Sequence, residues 1–362
     1  MEKFIYYAWL LDQLFPMPKE IIILIVTLVN KCLRPKIYCG YGNSAILYDN
    51  KLYLWGSSEL LPVTFGKPQY FPKRFDSYST EFRRKHDPLD FDSKNMILVT
   101  FTTNHIIILF KNNWTFINNR IFYYNDYKFE RGTPQIRKIL SRGIVVSRCG
   151  KVFYWDRHIG TSKLSLTFLN LSNIKTIGIR DRLTNAWADI LGYDGRVNTY
   201  KIIDDMLIFC KEQSVLNIIK LASGREHTAV VDNKGNAYEW GMFGEEETKP
   251  YSLSISDAIS VSCGSHFTIV LTKHNKIFGS GSNEVGQLGL YNKTRMVWPP
   301  VKLTIDNVIS VKCGFVHTMV LTAMNKIYVF GANGEGQLGL GSKIGNIVNS
   351  PQLLKYPFEE SV

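Results

Sequence analysis

Val311-Lys-Cys-Gly314-Phe-Val-His317-Thr318-Met-Val-Leu321-Thr-Ala-Met-Asn325-Lys-Ile-Tyr-Val-Phe330-Gly331, followed by Gly336-Gln337-Leu338-Gly339, is the stretch that decides the fold. Its pattern recurs at Val261 to Gly281, followed by Gly286-Gln287-Leu288-Gly289. In both copies the first glycine stands 17 positions before the one that closes the second apolar run, as it also does from Gly224 to Gly241. A fourth copy, Gly40 to Gly56, is one residue shorter. Between the two glycines lie β-prone runs such as Thr268-Ile-Val-Leu-Thr, then a reversal point at Gly235, Asn275 or Asn325. Glycine takes a positive φ freely and asparagine better than most residues, so each copy reads as a β-hairpin.

Three further copies are found by register alone. Slots starting at Thr102, Ile139 and Thr184 keep an apolar residue seven positions on (Leu109, Val146, Leu191) and Asn113, Gly150 or Gly195 at the turn. The slot just before the closing position is aromatic in most copies, at Trp55, Trp155, Tyr200, Trp240 and Phe330, with Asn118 and Ser280 as exceptions. Nearly continuous apolar runs indicate strands covered on both faces, and a repeat of about 40 to 50 residues indicates one small sheet per unit. The expectation is an all-β, seven-bladed β-propeller over residues 36–362, preceded by a short N-terminal helical segment over 1–35.

The order Cys-Gly-x-x-His-Thr, apolar strand, Phe-Gly, then Gly-Gln-Leu-Gly resembles the repeat of the regulator-of-chromosome-condensation family. The resemblance is strong over about 220–341, clear at 37–56 and positional between them. It implies a seven-bladed propeller. It also implies either nucleotide exchange on a small GTPase, with chromatin binding beside it, or service as an interaction domain. Exchange residues belong to loops outside the repeat motif and are not carried over.

Lys plus Arg outnumber Asp plus Glu by 43 to 31, a formal net charge of +12, which favours acidic partners without bearing on the fold. None of the six cysteines forms a Cys-x-x-Cys pair, so the chain carries no zinc or redox signature and no cofactor is expected. Cys39, Cys263 and Cys313 each precede a repeat glycine and read as small buried fillers, in keeping with cytoplasm or nucleus. The His slot holds Asn43, His105, Arg142, Trp187, His227, Phe267 and His317. Trp and Phe there argue against a metal ring, and the expected role is a brace within each copy's own sheet. No nucleophile elbow, His-Glu-x-x-His helix or P-loop occurs, so no catalytic residue is assigned.

Two segments lie outside the repeat. After Gly56 the chain interleaves Lys67, Lys73, Arg74, Arg83, Arg84 and Lys85 with Tyr70, Phe71, Phe75, Tyr78 and Phe82. This is the candidate partner-binding loop, for phosphate backbone or an acidic peptide, against the plain alternative of an outer strand with a solvated insertion. Near the start, Met17-Pro-Lys-Glu20 opens an apolar run to Val29 that resembles the beginning of an F-box, too short to span a bilayer. The tail from Ser350 to Phe358 is expected to supply an outer strand beside the first copy. The functional expectation is a monomeric, non-catalytic protein-interaction scaffold with no membrane contact. The alternatives are a guanine-nucleotide exchange factor for a small GTPase, or a ubiquitin-ligase adaptor acting through residues 1–35; nucleic acid or chromatin is a weaker partner expectation.

Overall fold

The hairpins fold where the sequence places them, and their turns take the positive φ expected: Gly150, Gly195 and Gly235 take φ of 77–86°, Asn275 58° and Asn325 60°. The computed structural model describes residues 34–355 apart from 49–50, 58–68, 75–95, 102–105, 111–113, 118–119, 124–135, 141–143, 158–163, 182–184, 204–205, 244–245 and 292–293.

The first sheet joins β1 (Lys36–Cys39), β2 (Asn43–Tyr48), β3 (Lys51–Gly56) and β4 (Gln69–Arg74) in that order. The next comprises β5 (Met96–Phe101), β6 (Ile106–Phe110), β7 (Trp114–Ile117) and β8 (Arg120–Tyr123). It is followed by β9 (Ile136–Ile139), β10 (Ile144–Ser147), β11 (Val152–Arg157) and β12 (Leu164–Leu171). Then come β13 (Ile174–Asp181), β14 (Ala186–Gly192), β15 (Val197–Ile203) and β16 (Met206–Glu212). The succeeding sheet holds β17 (Ile218–Ser223), β18 (His227–Asp232), β19 (Ala237–Phe243), β20 (Glu246–Glu247) and β21 (Tyr251–Ser252), the last pairing with β19. The chain closes with β22 (Ala258–Cys263), β23 (Phe267–Thr272), β24 (Ile277–Ser282) and β25 (Met296–Lys302), then β26 (Val308–Cys313), β27 (His317–Thr322), β28 (Ile327–Ala332) and β29 (Ile347–Leu353). Every pairing is antiparallel, and apart from that of β21 with β19 each joins neighbours in sequence.

The first strand of each sheet is innermost and the sheets follow one another around a ring: β1 adjoins β5, β5 adjoins β9, and β22 adjoins β26, which returns to β1. The protein is therefore a β-propeller. Seven such sheets occur among the described residues, and the sheet β5–β8 is described by its strand pairing and, among its side chains, by the buried Ile108. Second strands are buried end to end, as in β18, β23 and β27.

The core is a series of layers between sheets. The layer that closes the ring joins Ile37, Ile46, Tyr53 and Trp55 of the first sheet to Met319, Leu321, Ile327, Val329, Leu338, Val348 and Leu354. Two expectations change here. The tail pairs with β28 of its own sheet, through Tyr328 with Leu353 and Ala332 with Ile347, and not beside the first copy. Each sheet is built from contiguous chain, so closure runs through contacts between the last sheet and the first and not through an exchanged strand. The helical segment and its F-box-like opening fall on residues 1–33, outside the described residues, while Arg34 and Pro35 are not helical. The described residues hold no α-helix, only a 3-10 turn at Ser342–Ile344. None of their helices is long and apolar enough to cross a membrane.

Candidate binding site at the mouth of the central channel

The repeat residues couple each sheet to the next. In the Gly-Gln-Leu-Gly loops, Asn283 and Asn333 accept from the backbone N–H of Leu288 (2.9 Å) and Leu338 (3.2 Å), and both leucines are fully buried. That fixes the glutamine carbonyls toward the following sheet. Gln287 O accepts the Thr318 hydroxyl at 2.8 Å, and Gln337 O accepts both the Ser44 hydroxyl (2.8 Å) and the Trp55 indole N–H (2.9 Å).

The His slot works the same way, across blades and not within one. His227 Nε2 lies 2.9 Å from the Thr268 hydroxyl, and His317 Nε2 lies 2.9 Å from that of Ser44. The brace within a single sheet expected from sequence is thus corrected to a link between sheets; His105 and Arg142 lie outside the described residues. Because the Ser44 hydroxyl donates to Gln337 O, its oxygen accepts from His317, which fixes the proton on Nε2 and leaves Nδ1 buried without a partner among the described residues. Burial accordingly pushes the His317 pKa down from 6.5 to about 3. A depressed histidine stabilises the native state above the unfolded value and loses that contribution as pH falls from about 6.5 toward 3. Between pH 7 and pH 5 the wild-type protein is expected to lose about 2 kcal/mol more than His317→Gln, at a limiting slope of about 1.4 kcal/mol per unit, in urea titrations. Equal losses would remove His317 from the acid sensitivity.

Thiols line the channel as a second set of links. The Sγ of Cys39, Cys263 and Cys313 each donate at 3.4 Å to the carbonyls of Lys312, Ala222 and Ser262 on the preceding inner strand. Burial raises all three pKa values, that of Cys313 to about 12. By contrast Cys149 is exposed, and the Ser147 hydroxyl and Lys151 backbone lower its pKa. Among the described cysteines, native alkylation at pH 7.5 is therefore expected at Cys149 first, with the three channel thiols labelled only on unfolding. Peptide mapping that finds Cys313 labelled as fast as Cys149 would contradict this.

The channel encloses about 390 Å³ and is walled by Lys138, Lys312, the three thiols and the glycine turns that follow the inner strands. Lys138 Nζ donates to Ile177 O (2.8 Å) and to the Thr176 hydroxyl (3.2 Å). Burial, then the charges of Lys312 and Arg137, bring its pKa down to about 8. At one mouth the residues after the glycines form a belt: Arg225 N donates to Ser265 O, Ser265 N to Phe315 O (2.8 Å), and Phe315 N to Gly40 O (3.1 Å). On this belt Tyr41 and Phe315 stack, ring centroids 4.1 Å apart, and the Arg225 guanidinium sits 5.7 Å over Phe315. Tyr41 is 46% exposed. A flat aromatic pair capped by a guanidinium, on backbone locked from sheet to sheet, is a rigid contact platform.

Of the candidate loop, Lys73 and Arg74 lie on β4, the outermost strand of the first sheet, paired with Leu54 and Tyr53. Lys67, Arg83, Arg84 and Lys85 lie outside the described residues. The mouth residues went unnoticed because they occupy the variable position after the repeat glycine; Tyr41, Arg225, Ser265 and Phe315 share that slot, and this was the available signal. Among the described residues no group of three or more His, Cys, Asp or Glu is placed to hold a metal ion.

Fold and site together define a propeller built from repeats that dock sheet against sheet through loop carbonyls. Within residues 258–362 the chain carries matches to the Regulator of chromosome condensation (RCC1) repeat: one family model matches 258–287 and 308–337, a second 274–321 and 325–362. The human probable E3 ubiquitin-protein ligase HERC6 is 36% identical over 87 residues, 20% of this chain and 8% of that protein. Human Protein RCC2 is 31% identical over 86 residues, 20% of this chain and 16% of that protein. The matched segments thus span a small part of these relatives. Prp20p of Saccharomyces cerevisiae, whose structure is described with its binding to Gsp1p and histones, aligns with a TM-score of 0.51 at 16% identity, covering 89% of this chain and 77% of that one. That likeness is one of fold.

Proposed function

We propose that the protein is a non-catalytic interaction scaffold that receives a protein partner at the channel mouth. The observation that carries this reading is the Tyr41–Phe315–Arg225 stack, with Tyr41 exposed and the other two half-buried, held on a belt of backbone hydrogen bonds that crosses from sheet to sheet. Large planar side chains on rigid backbone lose little entropy on contact, which is why such groups anchor interfaces. The propeller domain is taken as 36–362, in keeping with β1 beginning at Lys36, and 1–35 as an extension before it. The cytoplasm or nucleus is the proposed setting, supported by free thiols at all the described cysteines.

The second reading, an exchange factor for a small GTPase, draws support from the fold likeness to Prp20p, described as binding Gsp1p. One experiment addresses both. Affinity capture from lysate with wild-type protein and with Tyr41→Ser, in nucleotide-depleting buffer and with excess GTP, is expected to yield partners that the variant loses at unchanged Tm. Identical retention by both baits removes the mouth from the binding surface. A small GTPase held only without nucleotide would replace the scaffold reading with exchange activity.

A further inference from the structure

Behind the mouth the channel is cationic, and partner docking leaves that charge unused. Lys138 stands on β9 and Lys312 on β26, and both wall the same cavity. From β26 the ring reaches β9 through β1 and β5 one way, and through β22, β17 and β13 the other. The two lysines therefore stand on opposite walls of the cavity. The described charged lining consists of Lys138, Lys312, Arg225 and a single carboxylate, Asp181. Lys138 has two acceptors, whereas the Lys312 ammonium finds no hydrogen-bond acceptor among the described residues. Their mutual repulsion is felt, since the charge of Lys312 contributes, after burial, to the lowered pKa of Lys138.

We propose that the central channel is a binding site for a small oxyanion of the phosphate or sulfate class, clamped between Lys138 and Lys312. A cleft lined by one sign of charge within low-dielectric walls concentrates counter-ions, and among the described lining residues one carboxylate faces three cationic side chains. The space is sufficient: about 390 Å³ compares with roughly 30 Å³ for each water in the liquid, so a partly hydrated oxyanion fits. The bland alternative is a water-filled channel in which Lys312 extends along the axis to solvent.

Isothermal titration calorimetry with inorganic phosphate, repeated with inorganic sulfate at constant ionic strength, separates the two. The site predicts saturable binding to the wild-type protein and at least a tenfold weakening in Lys312→Ala, a substitution at an exposed side chain that leaves the sheets intact. Lys138→Met is expected to weaken binding likewise, and the rim control Lys234→Ala to leave it unchanged. If Lys138→Met does not fold, Lys312→Ala decides. Absence of saturable binding to the wild type, or equal affinity in Lys312→Ala, overturns the site. Because the probe is an inorganic ion, neither result depends on whether a protein partner docks at the mouth.

Discussion

Trp55→Ala is expected to destabilise the protein by about 4 kcal/mol, from the range measured for large aromatic truncations in cores. Trp55 is fully buried in the layer that joins the first sheet to the last, and its indole N–H donates to Gln337 O at 2.9 Å. The truncation opens a cavity and also takes from that carbonyl one of its two donors. The neighbouring Gly339 shows how closely the fit is made: at φ +68°, an added Cβ would stand 2.8 Å from the Trp55 ring nitrogen. Trp55→Phe retains most of the packing and loses the hydrogen bond, so it should cost about 1 kcal/mol from that term. Hydrogen exchange should show protection lost together in β1 and β27 in the alanine variant, since both flank the junction. A loss confined to β2 and β3 would mean that the ring does not depend on this contact.

Asp189→Ala should cost about 3–5 kcal/mol, the range for breaking a buried ion pair by removing one partner. Asp189 and Arg180 are both fully buried. The carboxylate accepts from Arg180 Nε (2.8 Å) and Nη2 (3.2 Å), and from the hydroxyls of Thr199 and Thr228, both at 2.5 Å. Arg180 Nη2 also meets Glu247 at 2.6 Å, and Glu247 in turn meets Lys211. Without Asp189 the guanidinium stays buried with half its compensation, and Thr228 loses its acceptor. The paired change Arg180→Met with Asp189→Leu removes both charges and should recover most of the loss. A double variant no better than Asp189→Ala would show that the hydroxyl contacts, not the charge, carry the stability; thermal unfolding of the three proteins provides the comparison.

The same residues show what the sequence can disclose. Turn positions were legible because the backbone demands a positive φ there, and Gly150, Gly195, Gly235, Asn275 and Asn325 meet that demand by residue type alone. The hydroxyl after the His slot was visible as part of a motif, but its purpose was not, since its acceptor sits in another repeat: Thr318 reaches Gln287 and Ser44 reaches Gln337. Asp189 was hidden more deeply. Its slot is apolar in the clear copies, at Ala229, Ile269 and Met319, so periodicity offers no reason to single out a carboxylate. Only the contact with Thr228 reveals that it supplies the acceptor which the loop carbonyls supply to Thr318 and Ser44. The channel site was illegible for a related reason: Lys138 and Lys312 are distant in sequence and come to line one cavity only through ring closure.

The hydroxyl links from sheet to sheet share one direction: a hydroxyl of one sheet donates to an acceptor of the sheet before it. This is the geometry of a head-to-tail ring of subunits, written within one chain. Such a ring has two unlike surfaces at every joint, so a blade is interchangeable with another only if it carries both the plug and the socket. It follows that mutational drift is screened joint by joint and not motif by motif. A repeat can lose nearly all of its recognisable letters, as the sheet bearing Asp189 has, provided one atom of the right polarity still faces its neighbour.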